Sequence, residues 1–504
     1  MKRKLFIVAK EVTIPIAAAV YDVILKEENK FKPEILLITP VEEIISNSLI
    51  KKYFKGRRYI SCWRSVRNII EKNNSINELK KFDPNTFKLI LNELCAEPNQ
   101  LFDLNRRIQN KNNSPELQKF VLCSQAIYFH NILENNKESL IIDFDVYDVS
   151  RTILLSVSNF YGIEYRSVIR SRFDNYYLRT NELGKNLANK MYSLKIENEY
   201  FSQAKNELKK FRSSKDITSE VEKTVLIPKF SLKASFSLLK SILIYLYLMI
   251  YRVFIGNLKF YKYPLTKKYK KYIIGNTVPS HINNILVLIR NLFRIWEPFK
   301  ALDALPINYI YFPMPNTVEN SETRFNGNIL SERLVIDLFR PSIGLIPMIC
   351  KDHRSMIQDR TTDFIRETSM INNIIYLSEW THKWNIVNPL NLLKNSLLNI
   401  TIAGTAGLES AMLGKSTLIL GNPIYGEFFK VSGFNLFNME EISEALKNDN
   451  FISENFVVDE KIIIHYLAAT ISLGKKINLF FLIKDPFNKK YKNEIIKLTN
   501  FLIK

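Results

Sequence analysis

The stretch ITIAGTAGLESAMLGKSTLILG, Ile400 to Gly421, holds residue types and spacings suited to binding a phosphate. Ile400 to Ala403 read as a strand, Gly404 to Gly407 as a turn and Leu408 to Leu413 as a short helix. Glycines such as Gly404 and Gly407, with Ala406 between them, let a backbone approach a ligand. A helix amino terminus presents free N–H groups and the positive end of its dipole. Thr405 adds a hydroxyl, and Glu409, one helical turn later on the same face, is placed to accept hydrogen bonds from a ribose. The alternative is a strand, turn and helix whose glycines serve packing. GKS at Gly414 to Ser416 imitates the end of a P-loop, but the earlier glycine would fall at Glu409 and these residues close a helix rather than open one.

Two further stretches could share that site. In PMICKDHRSM, Pro347 to Met356, a strand ends in Lys351, Asp352, His353 and Arg354, a group suited to a phosphate or to proton transfer. In YFPMPNTVENSETRFNG, Tyr311 to Gly327, Glu319, Asn320 and Ser321 follow another strand end and can meet sugar hydroxyls; a solvated loop is the alternative. Ligands of open α/β sheets sit beyond the carboxyl ends of the strands, so these tips are expected around one crevice.

The elements that must position these residues are legible as a rhythm. Short apolar runs recur at Tyr309–Pro313, Leu345–Cys350, Asn373–Leu377, Asn399–Gly404 and Ser416–Gly421, separated by helical segments, which indicates a parallel, doubly wound sheet. A second α/β layer opens the chain with Lys4–Ala9 and Glu34–Thr39, and continues through a helix over Arg151–Phe160 and a strand over Tyr165–Ile169. The expected division is an amino-terminal α/β domain over 1–225, a hydrophobic and basic helical linker over 226–302, a Rossmann-like domain over 303–450 and a helical segment over 451–504.

With 504 residues, 46% of them hydrophobic, the chain can form two or more large cores. Its 4 cysteines are widely separated with no C-x-x-C pair, which fits a reducing, cytoplasmic compartment and neither a zinc site nor a disulfide framework. Lys and Arg number 71 against 50 acidic residues, a net charge of +21, but no zinc-finger spacing or RNA-binding aromatic motif accompanies it, so nucleic acid is not an expected partner. The apolar run Ser241–Tyr251 is about half of the roughly 20 residues that a membrane span needs. Alternating lysines and tyrosines follow, and 235–272 suits either peripheral contact with an anionic inner leaflet or a buried helix with a solvated basic loop.

In order, YIYFPMPNTVENS, IPMICKDHRSM, NNIIYL and NITIAGTAGLESAMLGKSTLILGNPIYGE resemble the capsule and surface polysaccharide biosynthesis family, which includes bacterial transferases of 3-deoxy-manno-octulosonic acid. Glu319 answers the acidic position of the family's first motif, Lys351 and His353 its Lys-Glu-His-Pro, and Gly404, Thr405, Gly407, Glu409, Ala411, Gly414 and Lys415 its Gly-Thr-x-Gly-x-Glu-Ala with downstream Gly-Lys-Pro. Pro315, Val318, Arg354 and Ser416 depart from the pattern, and the change of His-Pro to His-Arg leaves the donor nucleotide open.

The resemblance implies a GT-B-like fold of two Rossmann-like domains facing a cleft, with helical insertions. It also implies a metal-independent glycosyltransferase with no cofactor, its nucleotide-sugar donor being a substrate and a CMP-linked sugar acid one candidate. The acceptor would be a lipid-linked or growing glycan of capsule or lipopolysaccharide, met at the cytoplasmic face of the inner membrane. His353 and Lys351 would stabilise the leaving phosphate, and Glu11, after the first strand, would be the acceptor's base. Two alternatives stand beside it: a non-catalytic scaffold retaining the nucleotide fold, and a metal-dependent GT-A transferase using Asp143 and Asp145 of LIIDFDVYD.

Overall fold

The structure, a computed structural model, describes residues 2–10, 13–28, 30–38, 47–73, 76–79, 108–109, 115–144, 149–180, 185–214, 239, 243, 246, 273–274, 306–315, 332–343, 346–353, 362–377, 389–434 and 456–504.

The first layer is built on β1 (Arg3–Ala9), α1 (Ile14–Glu27), β2 (Phe31–Leu37), β3 (Tyr59–Ser61), α2 (Cys62–Lys72), α3 (Pro115–Glu134), β4 (Leu140–Ile142), α4 (Val149–Phe160), β5 (Glu164–Arg170) and β6 (Tyr176–Thr180). Leu5 to Ala9 are all buried, because helices cover both faces of the sheet and the pleat divides the run between two cores. Phe6 and Val8 pack with residues of α2, α3 and α4, whereas Leu5, Ile7 and Ala9 pack with α1. The parallel strands lie in the order β3-β2-β1-β4-β5, and β6 runs antiparallel beside β5.

Helices α5 (Lys185–Tyr192) and α6 (Asn198–Ser213) follow. Ala204, Leu208 and Phe211 are the buried positions of α6, a stripe at helical spacing, with Tyr200 and Phe201 packed partly buried beside it. The second layer comprises β7 (Ile310–Pro313), α7 (Glu332–Ile343), β8 (Met348–Lys351), α8 (Thr362–Ser369), β9 (Ile374–Leu377), α9 (Pro389–Asn395), β10 (Leu398–Thr401), α10 (Thr405–Met412), β11 (Thr417–Ile419) and α11 (Ile424–Val431). All five strands are parallel in the order β9-β8-β7-β10-β11. Both layers therefore share one winding, the third, second, first, fourth and fifth strands side by side, which is the Rossmann-like order. This is the GT-B-like pairing of α/β layers expected from the sequence.

Residues 456–504 connect both layers. Helix α12 (Glu460–Leu473) packs on α5, α6 and α11; β12 (Gly474–Lys476) then pairs antiparallel with β6, and α13 (Leu479–Lys484) and α14 (Lys492–Ile503) pack on α1. Arg212 of α6 spans the junction, donating to the Met412 carbonyl at 2.8 Å and pairing with Glu460 at 2.6 Å. His465 of α12 lies within 5.2–5.9 Å, between ring centroids, of Tyr192, Phe201 and Phe428. Burial there lowers the imidazole pKa below its ordinary value.

Asp143 does not present a metal ligand as the Asp-x-Asp reading expected. Its side chain is fully buried, 2.9 Å from Arg151 Nε, and accepts the Tyr165 hydroxyl at 2.6 Å and the Phe144 N–H at 2.7 Å. An aspartate after a buried strand faces either solvent or a buried cation, and here Arg151 of α4 supplies the cation. Asp145 lies outside the described residues, as does 235–272 apart from Leu239, Leu243 and Leu246. Among the described residues no helix is long and apolar enough to cross a membrane.

Candidate functional site

The second sheet opens at its topological switch point. Between β7 and β8 the pairing runs through Lys351 opposite Pro313 and is extended by the Met314 N–H donating to the Lys351 carbonyl at 2.8 Å. Between β7 and β10 it comprises only Leu398 opposite Ile310 and Asn399 opposite Tyr311, while β10 stays paired with β11 as far as Thr401. The first and fourth strands thus part from Phe312 and Ile400 onward. Helices leave the first and fourth strands of such a sheet in opposite directions, and the crevice between them is where ligands of this architecture are received.

One wall of that opening is the start of α10. The helix begins at Thr405 with Gly404 as its N-cap, so the expected Gly404–Gly407 turn is corrected: Thr405, Ala406 and Gly407 form the first helical turn, and the strand ends at Thr401. Residues 402–404 make the connection, with the Gly404 N–H donating to Thr401 Oγ1 at 3.2 Å. Thr405 and Ala406 are half-buried at the helix end, where backbone N–H groups lack intrahelical acceptors. Glu409, also half-buried, follows one turn later.

Gly407 is needed for packing. A Cβ there would lie 2.5 Å from both Thr401 Cγ2 and the Tyr425 hydroxyl oxygen, and that hydroxyl donates to the Gly404 carbonyl at 2.6 Å. The close approach of α10 to β10 and α11 fixes where the helix start sits. Gly407→Ala is expected to cost about 1–3 kcal/mol through overpacking, measured as a lowered midpoint in chemical unfolding; an unchanged midpoint would show that Tyr425 moves aside freely.

Gly414 ends the same helix in the left-handed region, φ 70°. The Gly414 N–H donates to the Ala411 carbonyl at 2.8 Å and the Lys415 N–H to that of Ser410 at 3.1 Å, the paired bonds of a Schellman stop. GKS is therefore a helix terminator, as its order in the sequence indicated.

Beneath α10 lies a buried polar cluster that the sequence reading missed. Asn399 donates to Ser410 Oγ at 2.7 Å and accepts from Ser396 Oγ at 2.8 Å, and Thr417 Oγ1 bonds Ser410 Oγ at 2.6 Å. Asn399 and Thr417 are register partners on β10 and β11, so one serine ties the helix to two strands. The available signal was an Asn and a Thr inside otherwise apolar runs, since buried polar groups require partners.

On the other side of β7, the tip of β8 carries Lys351, half-buried, and His353, exposed. Asp352 between them is buried and fixes the tip: its carboxylate accepts the Tyr376 hydroxyl at 2.5 Å and the His353 N–H at 2.9 Å, while its own N–H donates to the Leu377 carbonyl at 2.8 Å. Tyr376 was unforeseen because a tyrosine within a strand reads as core. Thr405 and His353 thus belong to the carboxyl edge of three consecutive strands, β10, β7 and β8. Glu319, Asn320, Ser321, Arg354 and Glu11 lie outside the described residues.

No family model and no curated protein matches the chain. Among solved structures it is similar to the β-Kdo 2,4 transferase of Thermosulfurimonas dismutans KpsC, at 12% identity and a TM-score of 0.34, over 68% of this chain and 85% of that one. The β-Kdo 2,7 transferase of the same KpsC aligns at 9% identity and a TM-score of 0.29, over 74% and 89%. The UDP-GlcNAc 2-epimerase of Neisseria meningitidis bound to UDP-GlcNAc aligns at 12% identity and a TM-score of 0.22, over 93% and 98%.

Proposed function

We propose that the protein is a GT-B-type glycosyltransferase that moves a sugar from a nucleotide-activated donor to a glycan acceptor of capsule or lipopolysaccharide. The observation that carries this reading is the parting of β7 from β10 beside the start of α10, with Lys351 and His353 on the next strand. Helix N–H groups and the Thr405 hydroxyl receive the donor phosphate, and the Glu409 carboxylate accepts from the ribose. Negative charge develops on the leaving phosphate as the glycosidic bond breaks. Lys351 and His353 are the candidates to balance it, with no metal required for that role. Glu319, Asn320 and Ser321 are assigned to the sugar hydroxyls, and Glu11, beyond β1, to deprotonation of the acceptor. The segment 235–272 holds the protein against the anionic inner leaflet, where a lipid-linked acceptor resides.

A ligand that binds only the native state adds about 2.7 kcal/mol of stability at a hundredfold excess over Kd and so raises the unfolding temperature. A thermal-shift series with CMP, UDP, GDP and dTDP is expected to single out one nucleotide, with the shift abolished in Thr405→Val. No shift with any of the four at millimolar concentration would overturn donor binding at this site.

A further inference from the structure

Away from the strand tips, the first layer carries a second concavity of about 590 Å³ where α14 lies along β6 and β12. Its cations come from three elements: Arg179 of β6, Lys475 of β12, and Lys497 and Lys504 at α14. Two of them are held in place, Arg179 donating to the Phe501 carbonyl at 3.1 Å and Lys497 to the Lys476 carbonyl at 2.6 Å. Lys475 and Lys504 are exposed. The carboxylates nearby are already engaged: Glu164 pairs with Arg3 at 3.3 Å and Arg166 at 2.5 Å, and Asp174 pairs with Lys476 at 2.5 Å. Glu494 stands 3.8 Å from Lys497. The groove therefore presents net positive charge.

Charge alone would suit any polyanion, but the rest of the lining is selective. The amides of Asn493 and Asn500 offer donors and acceptors for hydroxyls. Ile496 and Phe501 are half-buried, with the Arg179 guanidinium over one face of the Phe501 ring at 5.9 Å from its centroid, so they offer an apolar patch and do not protrude as membrane-inserting anchors would. Cations, amides and an apolar patch in one open groove match an acidic sugar chain: carboxylates or phosphates on the cations, hydroxyls on the amides, and the apolar face of a ring on Phe501.

We propose that this groove is a binding site for an acidic oligosaccharide, separate from the donor site. It serves as a hold for the glycan at a distance from the transfer point.

The test uses the intact protein and fluorescein-labelled oligogalacturonate as probe, read by fluorescence anisotropy. Lys475→Glu/Lys504→Glu is expected to weaken binding roughly tenfold or more, with the nucleotide thermal shift unchanged, so that failure here and failure of the donor reading are distinguishable. Lys72→Glu/Lys209→Glu, the same charge change at two exposed lysines that do not line the groove, should leave binding within about twofold of the wild type. Equal weakening by both pairs would overturn the proposal in favour of net charge. Failure of the probe to bind, or equally tight binding of neutral dextran, would also overturn it. So would a groove-dependent affinity for phosphatidylglycerol vesicles or single-stranded DNA exceeding that for the oligosaccharide.

Discussion

Asp143→Ala is expected to destabilise the protein by about 3–5 kcal/mol, the range for removing one partner of a buried ion pair. The Asp143 and Arg151 side chains are 0% and 1% exposed, and their contact is 2.9 Å. Removal of the carboxylate leaves a guanidinium, which stays charged at any working pH, inside the first layer, and it deprives the buried Tyr165 hydroxyl of its 2.6 Å acceptor. Asp143 follows β4 and Arg151 lies in the first turn of α4, so the pair ties a central strand to the helix that covers it. Urea unfolding with an unchanged slope and a lowered midpoint would report the loss. A loss of stability under about 1 kcal/mol would mean that water reaches Arg151. A metal would have to displace Arg151 to reach this carboxylate, so the GT-A alternative loses one of its two ligands.

The second large effect is catalytic. His353→Ala and Thr405→Val are each expected to lower sugar transfer by about 10²–10³, the usual cost of one donor to developing negative charge. Both positions are open to solvent to some degree, His353 exposed and Thr405 half-buried, so folding should survive either change. Groups acting on the same phosphate do not contribute additively, and the double variant should fall well short of the product of the single losses. The measurement is initial-rate transfer or donor hydrolysis with unfolding midpoints taken alongside. Unaffected turnover in both variants would remove the site from the reaction. Nucleotide binding by a wild type with no turnover on any acceptor would favour the scaffold.

Much of the second layer was legible because its strands are short, mainly apolar runs that alternate with helical segments, the pattern of a parallel sheet covered on both faces. The Gly-Thr-Ala-Gly stretch was legible in kind but not in form. A single sequence cannot distinguish a glycine required by backbone angle from one required by an approaching neighbour, and at Gly407 the neighbours are Thr401 and Tyr425. Likewise LIIDFDVYD showed an Asp-x-Asp pair, Asp143 and Asp145, after a strand. What decides the role of the first is Arg151, eight positions later in sequence but adjacent in space once α4 packs on the sheet.

By its own order, then, the chain determined two α/β layers, the strand ends bearing Lys351, His353 and Thr405, and the closing of α10 at Gly414, because periodicity, strand polarity and helix stops are local properties. Tertiary structure decided that β7 and β10 part while β7 and β8 stay paired, that Tyr376 and Tyr425 pin the two walls of the opening, and that the last residues return to the first sheet. Each of these depends on pairing and burial between residues far apart in sequence.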